Sequence, residues 1–200
     1  MVAIAASNNR DDPASRLIEY KSNALQMFFE RMAGEPESRV LDLGPACEEN
    51  IRLFAGRLGR VTICDMFIRL DRCIRRENPL RDAWTDLDYP PETFDGIVLW
   101  DLADRLDDRE VSMLVVRCRD LLKPGGTAVL FALGEESETT IVNSFVVEPD
   151  FRVHQRTQHH LSLPIRGRQS RDVLGMMHAF TPLRSFICRP GLVEFLFRRT

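Results

Sequence analysis

Runs of apolar residues alternate with amphipathic segments along this chain, and this alternation restricts the fold more than any other feature of the sequence. Residues 94–100 (FDGIVLW) and 127–133 (TAVLFAL) are mostly apolar, and residues 107–122 between them carry apolar side chains at helical spacing. A strand with one face in water alternates apolar and polar residues, so continuous runs indicate strands that are buried on both faces. The pattern therefore predicts an α/β protein, a three-layer α/β/α sandwich around a mostly parallel sheet.

The same patterns place strands and helices along the chain. Asp12-Pro13 is a typical helix opening, so an N-terminal cap helix is predicted over residues 12–33. The Pro-Gly pair within residues 189–191 predicts an antiparallel hairpin at the end of the sheet. The predicted strands are residues 39–43, 60–64, 81–85, 94–100, 127–133, 183–188 and 192–197. The further predicted helices are residues 48–58, 68–76, 107–122 and 172–180.

Residues 135–171 interrupt this order. The stretch is polar and irregular, and one strand pair is predicted in it, near residues 141–147 and 151–154. A chain of 200 residues with 44% hydrophobic residues can bury one core of ordinary size. We therefore interpret residues 1–200 as a single domain and residues 135–171 as an insertion or lid between the fifth strand and the last helix.

Cysteine usage and hydropathy bear on the compartment. The five cysteines form no close pair, so neither a disulfide framework nor a Cys-x-x-Cys metal site is predicted. No apolar run approaches the ~18 to 20 residues of a membrane-spanning helix, and residues 1–6 lack the basic flank of a signal peptide. We expect a cytoplasmic protein that binds no metal and no membrane.

Charge is distributed unevenly along the chain. The formal net charge is −3, yet residues 151–200 contain nine arginines and only two acidic residues. An Arg-rich segment raises RNA binding as a hypothesis. However, Phe151 is the only aromatic residue within residues 151–171, so the rings on which RNA bases stack are missing. We therefore do not expect nucleic acid as a partner.

Parallel sheets bind ligands beyond the carboxyl ends of their strands, and the residues there are informative. Asp42 ends the first predicted strand and either lines a pocket or caps the turn. Gly44 and Ala46 follow it and are small enough for a ligand to approach the backbone. Asp65 ends the second predicted strand about 20 residues after Gly44, the spacing between a nucleotide-binding glycine turn and its ribose-binding acid. Two glutamates at the start of the next helix would repel a pyrophosphate, which disfavours NAD or FAD.

At these positions the sequence resembles the class I S-adenosylmethionine-dependent methyltransferases. The resemblance rests on VLDLGPA (residues 40–46), Asp65, FDGIVLW, LLKPGGTAVLF (residues 121–131) and the terminal hairpin. It implies a Rossmann-like, mostly parallel seven-stranded sheet with an antiparallel last strand, S-adenosylmethionine as the cofactor, and methyl transfer (EC 2.1.1.-). The sequence departs from the family's glycine pattern in two places, with Ala46 at the second glycine and Glu48 at the third.

The resemblance also assigns roles to residues. It implies that the glycine turn lines the methionine part of the cofactor, that Asp65 holds the ribose and that Trp100 borders the sulfonium, unless Trp100 is only a core residue. Asp86 or, two residues later, Asp88 would meet the adenine. The candidate cofactor-binding residues are Asp42, Gly44, Pro45, Ala46, Asp65, Met66, Asp86, Trp100 and Asp101.

The acceptor side is less well specified. A histidine titrates near neutral pH and can act as a general base, and paired arginines can bind an acidic group, although they can equally lie in a solvated loop. The candidates for catalysis are Asp101, His159 and His160. The candidates for substrate binding are Tyr20, Arg166 and Arg168.

Two functional hypotheses follow. The first is an S-adenosylmethionine-dependent methyltransferase that acts on an unidentified acceptor, expected to be a small molecule. The alternative is a methyltransferase-like domain that has lost turnover and serves as a binding or regulatory module. Glu48 in the glycine turn and the lack of a recognisable acceptor motif after residue 100 favour the alternative. The oligomeric state stays open, and a homodimer is one option.

Overall fold

A computed structural model describes residues 19–134, 140–189 and 191–200, apart from the side chains of residues 81, 85 and 86. Its main sheet has six strands in the order β3-β2-β4-β5-β9-β8. Strands β3, β2, β4 and β5 are parallel, β9 is antiparallel to β5, and β8 is antiparallel to β9. The predicted mostly parallel sheet with an antiparallel last strand is therefore confirmed. These strands are β2 Arg39–Asp42, β3 Arg60–Ile63, β4 Phe94–Trp100, β5 Leu122–Leu133, β8 Thr181–Arg189 and β9 Leu192–Arg198.

Helices cover both faces of this sheet, because successive residues of the buried strands point into two different apolar clusters. Leu41 and Leu130 belong to one cluster, and Val40 and Phe131 belong to the other. Helices α3, α4 and α5 pack on the first cluster, and α1 and α2 pack on the second, which gives the three predicted layers. Their bounds are α1 Asn23–Met32, α2 Glu48–Arg57, α3 Met66–Arg75, α4 Asp108–Leu121 and α5 Ser170–Met176.

The prediction of a strand at residues 81–85 is wrong, and this accounts for six strands in the main sheet where seven were expected. Leu80–Leu87 forms a 3-10 helix. Its apolar residues Leu80, Ala83 and Leu87 follow helical spacing, and Ala83 and Leu87 are buried in the core. The helical periodicity of this segment thus prevails over its single β-branched residue.

The N-terminal helix begins later than predicted. Tyr20–Lys21 is a short strand, β1, and the Ser22 side chain accepts a hydrogen bond from the backbone N–H of Leu25 at 3.1 Å, which caps α1. Tyr20 therefore lies on a strand and not on the predicted cap helix. The proposed helix opening at Asp12-Pro13 lies outside the described residues.

The segment predicted as an insertion contains a long hairpin. Strands β6 (Ile141–Val147) and β7 (Arg152–Ser162) pair antiparallel, and β1 adds to β7 to complete a second, three-stranded sheet. The predicted second strand was too short because residues 154–160 are polar and only part of β7 is buried. The Asn50 side chain of α2 fixes this hairpin, since it donates to the carbonyl of Phe145 at 2.8 Å and accepts from the N–H of Val147 at 2.9 Å.

Among the described helices, none has the length and apolar character that crossing a membrane requires.

Candidate functional site

The turn of residues 43–47, called here the Gly44 turn, connects β2 to α2 at the carboxyl edge of the main sheet. Asp42 lies beneath it and is 4% exposed. Its Oδ1 accepts hydrogen bonds from the N–H of Gly44 at 2.9 Å and from Nε1 of Trp100 at 2.6 Å. Burial raises the pKa of the Asp42 carboxyl to about 6, although these two hydrogen bonds oppose the increase. Asp42 thus caps the turn, as the alternative interpretation of this residue expected.

The side chain of Trp100, the last residue of β4, covers Gly44. A Cβ atom at position 44 would overlap Cδ1 and Nε1 of the indole, so the glycine is needed for Trp100 to pack there. The indole lies nearly parallel to the rings of Phe54 and Phe145, at 6.5 and 5.8 Å, and edge-on to Phe131 at 5.2 Å. Phe54, Trp100, Phe131 and Phe145 are called here the aromatic cluster. They come from α2, β4, β5 and β6, and Trp100 is 2% exposed.

Asp65 lies between β3 and α3, and its side chain links the end of β3 to the Gly44 turn that follows β2. Its Oδ1 accepts from the N–H of Ile68 at 2.9 Å, which caps α3, and its Oδ2 accepts from the N–H of Ala46 at 3.0 Å. Asp65 is half-buried, and each oxygen has a further lone pair available. The structure therefore brings Asp42, Gly44 and Asp65 together at one edge, as predicted from their positions at strand ends.

The remaining candidate cofactor residues lie around this edge. Pro45 is buried within the Gly44 turn and Ala46 is exposed. The side chain of Met66 packs in the core cluster that contains α3. Asp86 belongs to the 3-10 helix, and its side chain lies outside the described part of the structure.

Asp101 belongs to a buried group of charged side chains after β4, called here the charged cluster: Asp101, Asp104, Arg105 and Arg168. Oδ2 of Asp101 accepts from Nη2 and Nε of Arg105 at 2.9 and 3.1 Å. Oδ2 of Asp104 accepts from the N–H of Leu133 at 2.6 Å, and burial raises the pKa of Asp104 to about 8. Asp104 was not predicted as a site residue, because a charged residue in a polar turn gives no sign that the fold buries it.

The two candidate arginines have different surroundings. Arg168 is 8% exposed and donates to the carbonyls of Ala103 and Leu106 at 2.7 and 2.9 Å, and to Asp108 at 2.9 Å. Its guanidinium therefore holds the chain after β4, and these bonds occupy donors that an acidic substrate would need. Arg166 is exposed, and its backbone N–H donates to the carbonyl of Asp104 at 2.7 Å.

The candidate histidines and Tyr20 lie on the second sheet. His159 and His160 are exposed neighbours on β7, at the point where its register against β6 shifts. Tyr20 packs beside Glu194 of β9. Glu194 was not predicted as a site residue, although it is an acid between apolar residues of a strand. Glu194 is fully buried, and its Oε2 accepts from the N–H of Ala24 at 3.3 Å.

No three His, Cys, Asp or Glu side chains converge as a metal site within residues 19–134, 140–189 and 191–200.

The space above the Gly44 turn decides whether S-adenosylmethionine fits this conformation. Asp42 and Asp65, for which contacts with the cofactor were predicted, lie at the ends of consecutive strands. The backbone of Gly44 is not open to a ligand, however, because the Trp100 indole occupies the space against it. The described conformation therefore does not fit the methionine part of the cofactor.

Comparisons with known proteins bear on the fold. Neither a protein-family model nor a curated protein sequence matches the chain. The N-methyltransferase NodS from Bradyrhizobium japonicum WM9, in complex with S-adenosyl-L-homocysteine, is 17% identical with a TM-score of 0.55, over 88% of this chain and 83% of that one. An S-adenosylmethionine-dependent methyltransferase from Mesorhizobium loti is 16% identical with a TM-score of 0.55, over 88% and 98% of the two chains.

A third structure adds a bound acceptor. The 1,6-didemethyltoxoflavin-N1-methyltransferase from Burkholderia thailandensis, with 1,6-didemethyltoxoflavin and S-adenosylhomocysteine bound, is 14% identical with a TM-score of 0.52, over 89% of this chain and 79% of that one. Identities this low support a statement about the fold alone. This chain has the class I fold of the S-adenosylmethionine-dependent methyltransferases.

Proposed function

We propose that the protein is an S-adenosylmethionine-dependent methyltransferase that acts on a small-molecule acceptor. The observation that carries the proposal is the placement of Asp42 and Asp65 at consecutive strand ends on either side of the Gly44 turn, in a fold shared with such enzymes. In this proposal Asp65 accepts hydrogen bonds from the ribose hydroxyls, and the negative charge of Asp42 attracts the ammonium group of the cofactor.

The acceptor class is inferred from a structural neighbour and from the covering hairpin. The didemethyltoxoflavin methyltransferase acts on a small heterocycle. In this chain, β6 lies over the carboxyl edge, where Phe145 contacts both Trp100 and Phe131. A covered edge suits a small acceptor better than a macromolecular surface.

The second candidate function is a methyltransferase-like domain without turnover that serves as a binding or regulatory module. The specific observation in its favour is the Trp100 indole against Gly44, supported by Glu48, which stands where the family's third glycine would be. In that case Asp42 and Trp100 act as core residues, and the indole stays in place.

Calorimetric titration with S-adenosylhomocysteine, together with a thermal-shift assay, tests the proposal. We expect binding by the native chain and a loss of roughly 10- to 100-fold in affinity for Asp65→Asn, because the ribose loses a charged acceptor. Asparagine is also a good helix N-cap, so α3 should keep its start. Asp150→Asn is the control, since Asp150 is exposed in the turn between β6 and β7 and is not a candidate site residue.

The results separate the two functions. If neither heat nor a thermal shift is detected at millimolar S-adenosylhomocysteine, the methyltransferase proposal is wrong. If the protein binds but transfers no labelled methyl group from S-adenosylmethionine to any component of a small-molecule extract, the second function is the better description.

A further inference from the structure

Trp100 differs from the other buried aromatic residues of its face in how it is held. Its backbone has φ of +51°, a left-handed conformation that a bulky L-residue seldom adopts. Its Nε1 donates to Asp42 at 2.6 Å, while its ring lies against the Gly44 backbone. Strained conformations of this kind persist where surrounding contacts enforce them, and they are concentrated at ligand sites and switches.

Phe145 is the contact that a movement of the second sheet would release. Phe145 lies on β6, nearly parallel to the Trp100 indole at 5.8 Å, and also packs edge-on against Phe131 at 4.9 Å. The β6–β7 hairpin is attached to α2 by Asn50 and by an exposed ion pair of Arg156 with Glu49 at 2.6 Å. These polar contacts and the aromatic cluster hold β6 against α2 and the Gly44 turn, and Val147 and Val153 anchor the turn end of the hairpin in the same apolar cluster.

The position of the indole also matters chemically. A flat aromatic ring with one N–H donor fills the space above the glycine turn, and it satisfies the buried carboxylate beneath. A ligand that carries a positively charged nitrogen could take over the hydrogen bond to Asp42 when the indole leaves. When a ligand replaces the indole as donor, Asp42 keeps a hydrogen bond. If the indole left without a ligand, Asp42 would lose that bond.

We propose that Trp100 is an internal occupant of the ligand site at the Gly44 turn, that Phe145 of the β6–β7 hairpin clamps it there, and that binding of a ligand displaces it. Trp100 then determines access to the site, because a ligand binds only the fraction of molecules in which the indole has left. The identity of the ligand rests on the proposed function, whereas the displacement of the indole is a separate statement about this chain.

Fluorescence can follow this displacement directly, since Trp84 and Trp100 are the two tryptophans of the chain. Trp84→Phe leaves Trp100 as the single reporter and changes a half-buried residue of the 3-10 helix. On addition of S-adenosylhomocysteine we expect the emission of Trp100 to shift to longer wavelength. We also expect quenching by acrylamide to increase, because the ring leaves a buried stack for a more solvated position.

Substitutions test whether the indole limits affinity. Trp100→Asn removes the ring, asparagine tolerates left-handed φ and has an N–H donor, and circular dichroism checks that the variant folds around the cavity left by this buried side chain. Phe145→Leu removes the clamp. Phe28→Leu is the matched control, because Phe28 is fully buried in the same apolar cluster and makes no ring contact with Trp100. We expect Trp100→Asn and Phe145→Leu to bind S-adenosylhomocysteine about tenfold or more tightly than the native chain, and Phe28→Leu to bind like it.

Each outcome bears on the inference. If Trp100→Asn binds S-adenosylhomocysteine and the native chain does not, Trp100 is an occupant of the site as inferred, displacement by this ligand is overturned, and the methyltransferase proposal fails for the native protein. If the native chain binds with no change in Trp100 emission or quenching, and Trp100→Asn gains no affinity, the inference is overturned and the proposed function remains. If no variant binds while circular dichroism shows that all are folded, both are overturned.

Discussion

Two buried aspartates near the carboxyl edge of the main sheet have different surroundings. Asp42 ends β2, and its Oδ1 accepts from Gly44 and from Trp100. Asp104 follows β4, and its Oδ2 accepts from Leu133, while its Oδ1 is buried without a hydrogen-bond partner in the part of the chain that the structure describes. Burial raises the pKa of both carboxyls, to about 6 for Asp42 and to about 8 for Asp104.

The neighbouring groups account for this difference. At Asp42, two N–H donors partly offset the effect of burial, and the nearby charge of Asp65 adds a small increase in the pKa. At Asp104, the negative charge of Asp101 adds to the effect of burial. The closest guanidinium nitrogen of Arg168 lies 3.9 Å from its Oδ1 and donates to backbone carbonyls. The buried carboxylate at the Gly44 turn thus has hydrogen-bond donors, whereas the charged cluster contains carboxylate oxygens that are buried without one among the described residues.

The largest predicted effect concerns the arginine that holds the charged cluster. Arg168→Gln should lower the free energy of unfolding by about 2–4 kcal/mol, because it leaves the buried carbonyls of Ala103 and Leu106 without their donor. Arg166→Gln should change it by less than about 0.5 kcal/mol, because Arg166 is exposed. Urea denaturation of both variants measures this difference. Equal losses would show that Arg168 is not the anchor that its contacts indicate.

The second prediction concerns pH. The folded state holds a proton on Asp104 up to about pH 8, whereas the unfolded chain releases it near pH 4, so native stability falls as pH rises through this window. Asp104→Asn removes the charge and can keep the bond from Leu133. We expect the variant to match the native chain near pH 4 and to exceed it by about 1–3 kcal/mol at pH 8.

Urea denaturation at pH 4, 6 and 8 measures the effect, with Asp108→Asn as the control because the Asp108 side chain is 90% exposed. A variant less stable than the native chain at pH 8 would mean that the arginines of the cluster compensate the Asp104 carboxylate.

The position of the Gly44 turn could be predicted from the sequence. Runs such as residues 94–100 are apolar and rich in β-branched residues, so the strands could be assigned, and assigning them placed Asp42 and Asp65 at one edge. The prediction of a strand at residues 81–85 was wrong because three apolar residues at helical spacing outweighed a weak β pattern.

The charged cluster and the aromatic cluster depend on contacts between distant parts of the chain. Arg168 bonds to a carbonyl 65 residues earlier, and the aromatic cluster is assembled from four separate elements. Local patterns carry no information about such pairs. The left-handed backbone of Trp100 was equally unpredictable, because nothing in FDGIVLW favours a positive φ there.

The smallest predicted effect on stability concerns Asp42. It occurs at a lower pH than the effect of Asp104, because the pKa of Asp42 is lower. Burial raises the folded pKa of Asp42 to about 6. The contribution of this group to native stability is therefore fully present below pH 4 and is lost as pH rises through about 6. In Asp42→Asn the Oδ1 atom can still accept from Gly44 and Trp100, so only the charge is removed.

We expect Asp42→Asn to be about 1–2 kcal/mol more stable than the native chain above pH 6, with a difference that levels off near pH 7 and stays constant from pH 7 to 8. Over the same interval the difference for Asp104→Asn should keep growing, because Asp104 has the higher pKa. Urea denaturation of the two variants in parallel at pH 4, 6, 7 and 8 distinguishes these curves. If the Asp42→Asn difference also grows up to pH 8, the hydrogen bonds from Gly44 and Trp100 stabilise the Asp42 carboxylate less than their short distances indicate.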